Sequence, residues 1–108
     1  MITLVDSNIL LDVATDDPQW ANWSADALAH AADDSTLAIN PIIYAEVSIG
    51  FGKIEEIESL LPPDDFRRLE LPYEAAFLAG KAVAGMRLLT RDSRRYRTYF
   101  PSVALISP

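Results

Sequence analysis

Short apolar, β-compatible runs alternate with helical stretches along all 108 residues of the chain, and this alternation restricts the fold more than any other feature. Residues 2–6, 37–39, 66–71, 87–90 and 103–106 read as strands. Ser7 can cap a short helix that carries Ile9, Leu10 and Leu11 and ends near Ala14-Thr15. Asp16-Asp17-Pro18 reads as a second helix start, with Pro18 in the first turn, where its missing N–H costs little. That helix runs to about Ala32, and Trp20, Trp23, Ala27 and Ala31 recur on one face. Asn40-Pro41 starts a third helix through Ile42, Ile43, Val47 and Ile49. From Lys53 to Leu61 the pattern is amphipathic: Ile54, Ile57, Leu60 and Leu61 face inward, Glu55, Glu56 and Glu58 face water, and Pro62-Pro63 stops the helix. A further helix is expected from Pro72 to about Ala84, and a turn or short helix from Asp92 to Tyr96. Crossovers between parallel strands are right-handed, so this order implies a single α/β domain. Its architecture is a three-layer α/β/α sandwich around a central, mostly parallel sheet. Ligands of such sheets bind beyond the carboxyl ends of the strands, so the polar residues just after strands are the informative ones.

Composition narrows the class. Half of the chain is apolar, enough for one core, and cysteine is absent, which removes disulfides, thiolate catalysis and cysteine-ligated zinc. The N-terminal run meets Asp6 after five mostly apolar residues without a basic region, and no apolar run approaches the roughly 18 residues of a membrane span. A soluble, cytoplasmic protein without a membrane partner is expected. The net charge of −7 argues against nucleic acid by its sum, since phosphate attracts basic surfaces. Its distribution does not: Arg87, Arg91, Arg94, Arg95 and Arg97 cluster near the C-terminus, while aspartates crowd the first third.

Three acids occupy the informative positions. Asp6 ends the first strand in Val5-Asp6-Ser7-Asn8, Asp92 follows the fourth in Thr90-Arg91-Asp92, and Glu46 lies in the helix after the second strand. Ile42 and Ile43 stand four and three residues before Glu46, which places it on or beside the inward stripe of that helix. Converging carboxylates repel one another unless a cation is shared. Hard oxygen donors without histidine or cysteine suit Mg²⁺ or Mn²⁺, and such an ion serves phosphodiester hydrolysis by activating water and stabilising charge on the phosphate oxygens. His30, the single histidine, reads as a surface helix residue, and no serine–histidine arrangement competes.

Asp6-Ser7-Asn8, Ala45-Glu46-Val47 after Pro41, and Thr90-Arg91-Asp92 together resemble, in order and approximate spacing, the motifs of PIN-domain ribonucleases, and within them the VapC-type toxins of toxin–antitoxin pairs. The resemblance implies a metal-dependent endoribonuclease with a PIN-like fold. Asp6, Glu46 and Asp92 would be its catalytic metal ligands, and Asn8 and Thr90 would support them by hydrogen bonds. Arg91, Arg94 and Arg95 would meet RNA phosphates. A cognate antitoxin would lay an apolar segment against Trp20, Trp23, Ile54, Ile57 and Leu61, and the chain would form a homodimer. One departure stands against the pattern. The family usually carries another aspartate before the strand that leads to the last motif, and here no acid lies between Glu74 and Asp92. A segment near residues 81–83 is missing relative to a typical member, either by deletion or by omission from the sequence. Gly80-Lys81 fits the middle of one helix and Ala82-Val83-Ala84-Gly85 the end of another, which favours omission.

Plainer roles exist for each residue. Asp6 and Asp92 could cap helices, Glu46 could be an exposed helix residue, and Trp20 and Trp23 could be core. Asp12, Asp16, Asp17, Asp26, Asp33 and Asp34 read as solvated helix faces and ends, and the arginine strip could be a solvated face. Two rival functions follow: a PIN-like binding module without catalysis, or a phosphoryl-transfer domain with Asp6 as nucleophile. The latter wants a second aspartate at position 8, where asparagine stands.

Overall fold

The computed structural model describes residues 1–71, 73, 87–92 and 104–108. The helix expected over 72–84, the turn after Asp92 and the junction near 81–83 lie outside them, apart from single residues. Strands β1 (Ile2–Val5), β2 (Thr36–Ile39), β3 (Arg67–Arg68), β4 (Arg87–Leu89) and β5 (Ala104–Ile106) form one sheet. Its order is β3-β2-β1-β4-β5, and each neighbouring pair is parallel. The chain first builds outward from β1 to β3 and then resumes on the other side of β1 with β4. The order therefore reverses between β1 and β4, which makes the crevice beyond their carboxyl ends the expected ligand position.

Successive strand residues point to opposite faces. Leu88 and Leu89 are both buried, as are Ala38 and Ile39, and Thr3, Leu4 and Val5 in succession. Both faces of the sheet centre are therefore covered, the condition under which parallel strands read as near-continuous apolar runs. At the edge, β3 is reduced to two exposed arginines, although residues 66–71 read as a strand. A short, charged edge discourages pairing with a further chain.

Four helices occupy the first 60 residues: α1 (Ser7–Ala14), α2 (Ala21–Asp34), α3 (Pro41–Ser48) and α4 (Ile54–Leu60). The N-cap of α1 is Asp6, whose side chain accepts from Ser7 N–H, so Ser7 is not the cap and its hydroxyl is left for another partner. α2 begins later than Asp16-Asp17-Pro18 suggests. Asp17 Oδ1 accepts the N–H groups of Gln19 and Trp20 and its carbonyl accepts Ala21 N–H, so a capped turn over 17–20 leads into the regular helix at Ala21. α3 starts as expected, with Asn40 accepting from Ile43 N–H and Pro41 in the first turn.

Two helix faces differ from their sequence reading. In α3, Ile43 and Val47 are buried at four-residue spacing, whereas Ile42 and the following Ile49 are 53% and 87% exposed. Ile42 and Glu46 share the outer face, so Glu46 is exposed rather than part of the inward stripe. In α4, Ile57 and Leu61 are buried and Ile54 is 63% exposed, because the i, i+4 pair takes the core side and the first residue of the helix is turned away. Glu58 is on the water side as expected but is engaged there, accepting from the Tyr44 hydroxyl and from Arg68. Among the described residues, no helix is long and apolar enough to cross a membrane.

Candidate functional site

The last paired residues of β1 and β4 are Val5 and Leu89, so Asp6 and Thr90 are the first residues past the strands at the point of reversal. Their backbones continue the ladder: Asp6 N–H donates to Leu89 O at 3.0 Å and Thr90 N–H to Ile106 O at 3.0 Å. The sheet thus fixes where both side chains begin.

The Asp6 carboxylate is 8% exposed and only receives hydrogen bonds, as an acceptor-only group should. Oδ1 accepts from Ser7 N–H at 2.8 Å. Oδ2 accepts from the Thr90 hydroxyl at 2.9 Å and from Asn8 Nδ2 at 3.2 Å. Thr90 is fully buried and uses its whole hydroxyl capacity: it donates to Asp6 and accepts from Asp92 N–H at 2.9 Å and Asn8 Nδ2 at 3.3 Å. Asn8 is fixed from both ends of its amide, since Oδ1 accepts Arg91 N–H at 3.3 Å.

Glu46 reaches this group through Ser7, whose hydroxyl donates to Glu46 Oε2 at 2.7 Å. A hydroxyl has one proton, so the 3.5 Å approach of the same oxygen to Asp6 Oδ1 is a secondary contact. Asp6 and Glu46 are therefore one hydroxyl apart, and Asp92 is tied by its backbone to the threonine that holds Asp6. Asp92 itself is exposed. Among the described residues, no three histidine, cysteine, aspartate or glutamate side chains stand close enough together to hold a metal ion. The available donors are all carboxylate oxygens, the chemistry Mg²⁺ and Mn²⁺ accept, with Asp6, Glu46 and Asp92 the residues that could supply them.

Asp12 departs from its expected role. It is 3% exposed, accepts from Ser24 Oγ at 2.7 Å, and takes Arg91 on both oxygens, Nε to Oδ2 at 2.6 Å and Nη2 to Oδ1 at 3.0 Å. The Arg91 guanidinium also lies over the Trp20 ring, 5.2 Å from its centroid. Asp12 beside it holds Arg91 above the usual arginine range, reinforced by the more distant Asp17 and Asp6. The arginine expected to meet phosphate is thus engaged inward. Arg94 and Arg95 lie outside the described residues. The other aspartates divide: Asp34 is held below the usual carboxylate range by Arg87, which donates two hydrogen bonds to it, while Asp26 and Asp33 are exposed, as is His30.

Among the described residues, the five expected to bind an antitoxin are not all gathered in one cavity. Ile57 and Leu61 belong to the core. Trp20 and Trp23 stack edge to face, 6.3 Å apart, and Trp23 borders a cavity with Ala27, His30 and Arg87, whereas Ile54 borders a different one with Tyr44, Glu58 and Arg68. Ile54 and Ile57 meet in a further cavity with Tyr44, Ser48 and Phe51.

No family model matches the sequence, and no curated protein matches it. Among solved structures, the chain is similar to one in the crystal structure of VapBC2 from Rickettsia felis bound to a DNA fragment from their promoter. The TM-score is 0.71 at 19% sequence identity, covering 99% of this chain and 98% of that one. Strand order, parallel pairing and this likeness agree on one architecture: the chain has a PIN-like α/β fold.

Proposed function

We propose that the chain is a metal-dependent endoribonuclease toxin, neutralised by a cognate antitoxin and assembled as a homodimer. The observation that carries the reading is the hydrogen-bonded group around Asp6 at the point where the strand order reverses. Thr90, Asn8 and Ser7 hold that carboxylate, and Ser7 links it to Glu46. Asp6, Glu46 and Asp92 would hold Mg²⁺ or Mn²⁺. The ion would supply an activated water and stabilise negative charge on the phosphodiester oxygens. The chain's own contribution is orientation: Thr90 and Asn8 fix the plane of the Asp6 carboxylate, and Ser7 fixes Glu46. The antitoxin partner is supported by the fold shared with a chain of a VapBC2 assembly.

A second reading is a PIN-like binding module without catalysis. It is favoured by the absence, among the described residues, of three acidic side chains grouped tightly enough for a metal. One experiment separates the two: cleavage of RNA by the full chain with Mg²⁺ or Mn²⁺, beside Asp6→Asn. Metal-dependent cleavage lost in Asp6→Asn supports the nuclease. Equal activity in the variant removes it, and metal-independent protein binding without cleavage supports the module.

A further inference from the structure

Arg91 and Asp12 border the acidic group without belonging to it. α1 carries Asn8 and Asp12 four residues apart, hence on one face, and both reach the segment that bears Asp92. Asn8 accepts the Arg91 N–H and donates to the Thr90 hydroxyl. Asp12 takes the Arg91 side chain in a two-bonded fork, a geometry that fixes direction as well as charge. Asp12 is itself immobilised, being 3% exposed and bonded to Ser24 of α2, and Trp20 closes over the guanidinium. Asp92 follows directly and is exposed, so the position of its backbone depends on how the two residues before it are anchored.

We infer that Asp12 is a positioning residue: through Arg91 it anchors the Thr90-Arg91-Asp92 segment beside the Asp6 carboxylate, and so sets where Asp92 can approach that group. The inference rests on the metal-dependent nuclease reading above. Its corollary is that the Arg91 charge is spent on Asp12, so Arg91 organises the acids rather than gripping an RNA phosphate.

The test uses the full chain and four proteins: wild type, Asp12→Asn, Arg91→Met and Arg91→Lys, each checked for folding by circular dichroism. Mn²⁺ alone is titrated without RNA, followed by steady-state cleavage of an RNA substrate. Asp12→Asn and Arg91→Met are expected to weaken Mn²⁺ binding roughly 10–100-fold, the range for residues that orient metal ligands. Their kcat should fall while KM for RNA changes little, and Arg91→Lys, which keeps the charge but loses the fork, should fall between. Unchanged Mn²⁺ affinity in folded Asp12→Asn overturns the inference. So does Arg91→Met with unchanged Mn²⁺ affinity and a raised KM, the signature of a phosphate contact. If Asp12→Asn does not fold, Arg91→Lys decides by the same two measurements. Wild type that binds no Mn²⁺ removes the nuclease reading and this inference with it, whereas wild type that binds while the variants match it removes the inference alone.

Discussion

The Thr90 hydroxyl donates to Asp6 Oδ2 at 2.9 Å across 84 positions of sequence, and the same oxygen accepts Asp92 N–H and the Asn8 amide. Thr90→Val keeps the shape and removes all three bonds. Asp6 keeps its other donors and Asn8 keeps Asp6 as an acceptor, so each lost bond should cost about 0.5–1.5 kcal/mol. Urea unfolding should show a loss of roughly 2–4 kcal/mol, and Thr90→Ser should recover most of it. A Thr90→Val protein as stable as wild type would mean that the hydroxyl network contributes nothing.

Between α4 and the edge strand β3, Glu58 is held below the usual glutamate range, first by the Arg68 guanidinium at 2.7 Å and then by the Tyr44 hydroxyl. A depressed folded pKa contributes stability that is present above the unfolded value, near 4.5, and is lost as pH falls through the folded value. Stability should therefore drop on acidification in that window, and Glu58→Gln should flatten the drop. Both partners are about 40% exposed, so the effect should be small and should shrink with added salt. Thermal melts from neutral pH to strongly acid pH at two ionic strengths measure it.

The two isoleucines of α4 separate a core residue from a surface one. Ile57 is 2% exposed and Ile54 63%. Ile57→Ala should cost about 2–5 kcal/mol through lost burial and the cavity left behind, and Ile54→Ala about 0.5 kcal/mol or less. Equal effects in chemical denaturation would contradict the assignment of Ile57 to the core and reopen it as a contact residue for a partner.

Much of the candidate site is legible in sequence because it depends on strand ends. The strand readings at 2–6 and 87–90 bring Asp6 and Thr90 to strand ends without tertiary information, the structure closing each strand one residue earlier, and Asn8 follows from the motif. Glu46 is less legible: Ile42 and Ile43 are equally apolar, so composition cannot say which of two adjacent residues faces inward, and the structure chooses Ile43. Asp12 is illegible for a different reason. An aspartate in a helix normally faces water, and the partner that makes burial tolerable lies 79 positions away. The one available signal was its four-residue spacing from Asn8, which places the two polar side chains on the same face as each other. For α2, the start signal at Asp16-Asp17-Pro18 is legible, but the length of the capped turn before the regular helix at Ala21 is not.

The Asp12–Arg91 pair should respond unequally to loss of either member. The Asp12 side chain is 4% exposed and that of Arg91 29%. Arg91→Ala strands a carboxylate that cannot reach solvent and keeps only Ser24 as a side-chain donor among the contacts described. Asp12→Ala leaves a guanidinium on a long stem, able to turn outward and shed part of the penalty. Breaking a buried pair by removing one partner costs about 3–5 kcal/mol. Arg91→Ala should fall in that range and Asp12→Ala below it, at about 1–3 kcal/mol, since the stranded group there can rehydrate. Replacing both at once should cost less than the sum of the two, because the double variant leaves neither charge unpaired. Denaturant unfolding of the four proteins closes the cycle, and strict additivity would show that the two side chains contribute independently rather than as a pair.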